Sequence, residues 1–238
     1  MQIVIIAGGL ATRLGDLTRD KPKSMVEIQG KPFLEYQLDM LRRGGIDNFV
    51  LCLGHAGEQI KRVFGDGSKY GVNLRYSFEN RQLGTAGALK NAEKLLEKMF
   101  FTIYGDSYLF LDFIQVEAHF KSKNKLALMT IYKNRDQCDR SNAVVGGGLV
   151  TKYSKNSKTE DMVCIDYGVN LFRKEVLQII PENQYYSLEK LFPCLINKGE
   201  LLSFEVKDRF YEIGSLQGLK ELTEYIKRGQ NDPIKSTN

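Results

Sequence analysis

Apolar residues fall along this chain as short unbroken runs, separated by stretches in which every third or fourth position is apolar. The first run, Ile3 to Ala7, is β-branched and too short for an ordinary helix, so it reads as one buried strand. Residues 49–53, 100–104, 126–132 and 201–206 repeat that pattern, and 72–76 alternates as a strand does. Between them, Pro32 to Gly44 carries Phe33, Leu34, Tyr36, Gln37, Leu38, Met40 and Leu41 and then stops on Gly44-Gly45, the pattern of an amphipathic helix. Helices are also predicted over 57–64, from the loop at Gly84 to about Met99, over 112–123, 173–180 and 187–198, and from Ser215 to about Arg228. Strands alternating with helices imply an α/β fold with a mostly parallel sheet and right-handed crossovers. Ligands in such a sheet sit beyond the carboxyl ends of the strands.

From about 140 to 172 the texture shifts to glycine-rich turns and short β-like pieces at 143–145, 149–153 and 163–172. This stretch reads as a small β-rich insertion carried on the same sheet. The expected organisation is a single domain over 1–228, with 229–238 as a frayed tail. A chain of 238 residues is long enough to bury a stable core unaided.

Composition narrows the function without naming it. A hydrophobic share of 42% and a charged share of 26% are those of an ordinary soluble protein. The N-terminal apolar run breaks on glycine after Ala7, so neither a secretory nor a membrane-spanning segment is expected there, and a cytoplasmic address follows. Cys52, Cys138, Cys164 and Cys194 are widely spaced without a Cys-x-x-Cys pair, which suits thiols in a reducing compartment. The net charge of +5 comes from lysines scattered along the chain, with no basic block interleaved with aromatics. That argues against nucleic acid as partner and assigns some positive charge to a small, phosphate-rich substrate.

The candidate chemistry starts where the first strand ends. Gly8-Gly9 lets backbone N–H groups approach an anion, and Thr12, Arg13 and, after a loop, Lys23 supply a hydroxyl, a guanidinium fork and a compact charge. Neither the three-glycine dinucleotide fingerprint nor the nucleoside-triphosphatase P-loop is present. A glycine pair by itself would serve as a turn. Together with Thr12-Arg13, Lys21-Pro22-Lys23 and Gly30-Lys31-Pro32, residues 7–38 resemble the signature of the sugar-1-phosphate nucleotidyltransferases, with Ala11 standing where that family usually has glycine.

The resemblance implies a Rossmann-like, nucleotide-diphospho-sugar transferase fold, a magnesium ion, and two substrates, a nucleoside triphosphate and a sugar 1-phosphate. Ala7, Gly8, Gly9, Thr12, Arg13 and Lys23 would hold the phosphates, with Arg13 and Lys23 catalytic. Gln82, Gly84 and Thr85 match the loop that receives the base, although many relatives have proline where Gln82 stands. Asp106 ends the strand 100–104 and matches the family's magnesium ligand; Glu212, in Tyr-Glu-Ile-Gly-Ser, stands where the second such ligand is usually aspartate. Asn142, Lys155 and Asp166-Tyr167-Gly168 fall on the sugar-phosphate side, the last replacing the family's Asn-Ala-Gly turn. In the family the attacking phosphate is already anionic, so His55 and His119 need no catalytic role. A cytidylyltransferase working on a non-sugar phosphate such as phosphocholine, and a non-catalytic nucleotide-sugar sensor, remain alternatives, and a homodimer is left open.

Overall fold

The computed structural model describes residues 1–8, 15, 21–54, 56–137 and 139–231. In chain order, β1 (Gln2–Ile6) is followed by the small hairpin of β2 (Glu27–Ile28) and β3 (Lys31–Pro32), then by α1 (Phe33–Arg43), β4 (Asn48–Leu53), α2 (Gly57–Phe64), β5 (Asn73–Phe78) and α3 (Gly84–Asn91). Next come β6 (Met99–Tyr104), β7 (Ser107–Tyr108), α4 (Phe113–Lys121), β8 (Ala127–Tyr132), β9 (Ala143–Gly146), β10 (Leu149–Tyr153) and β11 (Ile165–Arg173). The chain then runs through α5 (Leu188–Asn197), β12 (Leu201–Val206), β13 (Tyr211–Glu212) and α6 (Leu216–Asn231).

Among the described residues, nine strands make one sheet in the order β5-β4-β1-β6-β11-β8-β12-β10-β9. β5, β4, β1 and β6 are parallel, as are β8 and β12, whereas β11 runs against both of its neighbours and so does β10. The sheet carries a core on each side: Val4 and Ile6 enter one cluster, Ile3 and Ile5 the other. Burial on both faces is why β1 reads as an unbroken apolar run rather than an alternating one. α1 fills one face with Leu34, Leu38 and Leu41, each about 1.5–3 kcal/mol of burial. α6 packs through Leu222 and Ile226 on Val26, Ile28 and Phe33, closing a third, smaller cluster beside the site.

Three expectations are adjusted. The helix from Gly84 stops at Asn91 and passes through a 3₁₀ turn at Glu93–Leu95, because Met99 is already paired in β6 against Arg173 of β11. Residues 174–179 form 3₁₀ rather than α-helix. α6 runs to Asn231, beyond the predicted start of the tail; residues 232–238 lie outside the described set. The β-rich stretch 140–172 divides between the sheet's far edge, β9 and β10, and β11, which lies between β6 and β8.

Candidate active site

β1 and β6 are neighbours in register, Ile6 beside Tyr104, so the two loops that leave their carboxyl ends start side by side. Gly105 N–H donates to the Ile6 carbonyl at 2.9 Å, and a Cβ on Gly105 would stand 2.8 Å from that of Ala7. Only glycine lets the loops approach so closely. Ala7 itself donates to the Cys52 carbonyl, and a Cβ on Gly8 would meet Glu79 Oε1 at 2.1 Å. The start of the glycine loop is therefore pinned on both sides. Gly9, Ala11, Thr12 and Arg13 lie outside the described residues, as do His55 and Cys138.

The turn carrying Asp106 is clamped from beneath. Gln37, wholly buried on α1, donates through Nε2 to the carbonyls of Tyr104 at 2.9 Å and Ser107 at 2.7 Å. Sequence pattern gives no warning of this, since an amide inside an apolar helix stripe looks like one more core position. Lys23 Nζ sits 2.9 Å from Asp106 Oδ2, their side chains 19% and 25% exposed. β13 pairs antiparallel with β7 and places Glu212 opposite Ser107, while Ile213 N–H donates to the Asp106 carbonyl at 2.9 Å. Residues far apart in sequence, Lys23, Asp106 and Glu212, are thereby gathered at one end of the sheet.

Glu212 has a second occupation. Its Oε2 accepts from Gly214 N–H at 2.6 Å and its Oε1 from the Ser215 hydroxyl at 2.9 Å, whose oxygen in turn accepts Gly218 N–H. The carboxylate thus supports the N-terminus of α6, where a negative charge is favoured. A Cβ on Gly214 would lie 2.0 Å from Glu212 Oε2 and 3.4 Å from Asp106 Oδ2, so both carboxylates border the same point. Among the described residues no cluster of three or more His, Cys, Asp or Glu could cage a metal. Two carboxylates suit a divalent ion that takes its remaining ligands from water and a substrate's phosphates.

The side expected to take the base is built on the start of α3. Gly84 has φ +73°, and a Cβ there would be 2.8 Å from the Tyr186 carbonyl, which accepts from Ala86 and Gly87 N–H. Thr85 Oγ1 accepts Leu188 N–H at 2.7 Å, joining this loop to the start of α5. Gln82 is exposed at the rim. Glu79, which the sequence reading passed over, ties the two halves together: Oε2 accepts Leu83 N–H at 2.9 Å while Oε1 lies against Gly8. Burial pushes its carboxyl above the usual range, against the pull of the Leu83 N–H. The signal was available, because Glu79 follows β5 at the same end of the sheet at which Asp106 follows β6.

These residues border a cavity of about 260 Å³ whose lining includes Gly8, Glu79, Gln82, Gly84 and Thr85 together with Tyr104, Lys155 and Glu189. Lys155 Nζ is 3.7 Å from Glu189 Oε1 and 5.4 Å above the Tyr104 ring. Asp166 is buried behind them; burial raises its carboxyl, opposed by the Lys155 ammonium and by Gly168 N–H, which donates to Oδ1 at 2.9 Å. Asn142 latches this corner through Oδ1, which accepts Asp166 N–H at 2.9 Å. Gly168, with φ +96°, lies in the irregular step of β11 between Asp166 and Asn170.

Tyr167 requires a correction. Its side chain does not share the cavity with Asp166, because successive strand residues point to opposite faces. The ring is 1% exposed in the core on the other side of the sheet, edge-on to Phe210, and its hydroxyl donates to the Phe110 carbonyl at 3.1 Å. It fills space.

Residues 2–229 match the Nucleotidyl transferase family. The chain is 30% identical to the UTP--glucose-1-phosphate uridylyltransferase of Synechocystis over 84% of its own length, but spans only 56% of that protein. It is 29% identical to the D-glycero-alpha-D-manno-heptose 1-phosphate guanylyltransferase of Campylobacter jejuni, covering 90% of this chain and 95% of the relative. The crystal structure of HddC from Yersinia pseudotuberculosis complexed with GMP-PN superposes with a TM-score of 0.80 at 28% identity, over 94% of this chain and 99% of that one.

Proposed function

Because the chain belongs to the nucleotidyl transferase family, we propose that it joins a nucleoside triphosphate to a sugar 1-phosphate, releasing pyrophosphate and leaving a nucleotide sugar. The observation that carries this reading is the meeting of Lys23, Asp106 and Glu212 at the carboxyl end of the sheet, together with a cavity lined by both the Gly84-Thr85 loop and Lys155. A guanosine triphosphate and a heptose or hexose 1-phosphate are the first substrates to test, since the heptose guanylyltransferase matches over nearly its whole length. The product would feed the assembly of a bacterial surface polysaccharide, made in the cytoplasm. A sensor that binds without reacting would not need the Lys23 and Asp106 pair.

In the proposed step, an oxygen of the sugar phosphate attacks the α-phosphorus, the bond to the β-phosphate oxygen breaks, and the electron pair leaves with pyrophosphate. The nucleophile is already an anion, so no general base is called for; the barrier is repulsion between two anions. Lys155 would hold the incoming phosphate in line, and Lys23 and Arg13 would offset charge as it moves to the leaving group. Asp106 and Glu212 would hold a magnesium ion, which supplies Lewis-acid charge at the phosphates. Gly8 and Gly84, which line the cavity, would bring backbone within reach of phosphate and base.

Pyrophosphate release from mixtures of protein, magnesium, each common triphosphate and a panel of sugar phosphates tests the proposal directly. No release with any pair would reject it. In the active pair, Arg13→Ala is expected to lower turnover by about two orders of magnitude with thermal unfolding unchanged; activity within a few-fold of the parent removes Arg13 from the reaction.

Asp166 adds a pH-dependent expectation. Its folded carboxyl is raised above 3.8 by burial, so the folded state holds this proton more tightly than the unfolded chain does. That contribution stabilises the fold at low pH and is lost as pH rises through the raised value. Asp166→Asn should therefore gain stability relative to the parent as pH rises from the unfolded carboxyl's value toward the raised folded one, while raising the acceptor's KM more than the triphosphate's. Parallel melting curves across that range would show that the buried charge is fully compensated.

A further inference from the structure

Three buried polar side chains lie on the cavity's side of the sheet without lining the cavity itself, and each keeps hydrogen-bonding atoms unmet among the described residues. Asp166, 8% exposed, keeps Oδ2 without a partner after Oδ1 takes Gly168 N–H. Tyr153, on β10, packs edge-on to Phe192 of α5 with its hydroxyl unpaired, within electrostatic reach of Asp166, Tyr104 and Glu189. Asn170, 1% exposed, pairs neither its amide N–H groups nor its carbonyl. It lies on the same side of β11 as Asp166: their partners on β8, Met129 and Ile131, belong to one core face. Leaving a buried polar group unpaired is costly, and folded proteins seldom tolerate it. Several such groups in one corner, beside a cavity wall made by Tyr104 and Lys155, point to a ligand that answers them.

We propose that Tyr153 and Asn170, with Asp166, form the specificity-determining recess for the acceptor, and that it takes the neutral, hydroxylated edge of a sugar. This rests on the reaction proposed above but adds two residues to it and says which part of the acceptor they meet. The unmet inventory decides the class. Asp166 Oδ2 and Asn170 Oδ1 need donors; Asn170 Nδ2 and the Tyr153 hydroxyl can donate. A hydroxyl gives and receives, so adjacent sugar hydroxyls can satisfy both sets. An ammonium group only donates and would leave the Asn170 N–H groups unanswered. A phosphate would meet the Asp166 carboxylate, and Lys155 is the better place for it. Were the three groups kept for stability, apolar side chains of similar shape would serve the core as well or better.

The test reads ligand-induced thermal shifts of the full chain with GDP against GDP-mannose and UDP against UDP-glucose, in the parent, in Tyr153→Phe and in Asn170→Leu. Tyr153→Phe removes a single oxygen and guards against a folding defect in the second variant. In the parent, the nucleotide sugar should shift unfolding further than the matching nucleotide. Both variants should lose at least half of that increment, keep the nucleotide's own shift, and melt without ligand at or above the parent's temperature. In kinetics, acceptor KM should rise about tenfold and triphosphate KM should hold within twofold. An intact sugar increment in both variants, with or without a lower melting temperature, overturns the proposal and makes the groups internal. A parent that shows no sugar increment, or uses phosphocholine better than any sugar phosphate, overturns it too. Binding of the nucleotide alone would in those cases leave the nucleotide half of the proposed reaction standing.

Discussion

Asparagine in place of Asp106 is expected to lower turnover by on the order of 10² to 10³ while the protein still folds. The substitution keeps the shape of the side chain and the backbone contacts of the turn, which come from Gln37 and Ile213 rather than from the carboxylate. What it removes is a charge that faces Lys23 at 2.9 Å and borders the same point as Glu212. The ion pair is partly exposed on both sides, so its loss should cost at most about 1 kcal/mol of stability. An amide oxygen is a poor substitute for a carboxylate on a divalent ion, and raising magnesium should restore little of the rate. Turnover measured across a magnesium titration, beside thermal unfolding, separates these effects. A variant whose magnesium response matches the parent's would show that the metal is held elsewhere.

The place of Asp106 at the carboxyl end of the sheet is legible in the sequence, because the acid comes directly after a buried strand and falls within a resembled motif. The same positional cue applies to Glu79 after β5, yet without a motif to reinforce it that residue reads as an ordinary loop acid. Its partners explain why: Leu83 N–H and the Gly8 backbone are contacts made in space, with no spacing rule to announce them. Gln37 shows a similar limit, since helical periodicity records which face is buried but not that a polar group on that face clamps a turn. Tyr167 shows a different one. The resemblance presents Asp166-Tyr167-Gly168 as a single contact turn, whereas the pleat of β11 sends Asp166 toward the cavity side and Tyr167 into the core beside Phe210. In the fold, elements with strong apolar patterning such as β1, α1 and β6 fall where pattern puts them. The helix after Gly84 falls short because the pairing of Met99 with Arg173, a contact across the sheet, decides where β6 begins.

Glu212→Gln should separate the two occupations of that side chain. As a support for α6, the carboxylate accepts from Gly214 N–H and from the Ser215 hydroxyl. A glutamine keeps one oxygen for Gly214, and its amide N–H groups can donate to the Ser215 oxygen, which has a second lone pair beyond the one that takes Gly218 N–H. The loss of stability should thus stay below about 1 kcal/mol, whereas Glu212→Ala, which removes both contacts, should cost about 0.5–2 kcal/mol as other lost caps do. As a metal ligand beside Asp106, the side chain contributes a charge that glutamine lacks, so turnover should fall about a hundredfold in both variants. Glu212→Asp should recover part of the rate, because the shorter acid still carries the charge, but not the full stability, because its oxygens fall short of Gly214 and Ser215. Rates and melting temperatures of the three variants then form a pattern with two readings. Turnover lost in the glutamine variant at nearly unchanged stability makes Glu212 a ligand that also caps; turnover retained there, with stability lost only in the alanine variant, makes it a helix cap and leaves Asp106 as the metal's carboxylate on this side of the site.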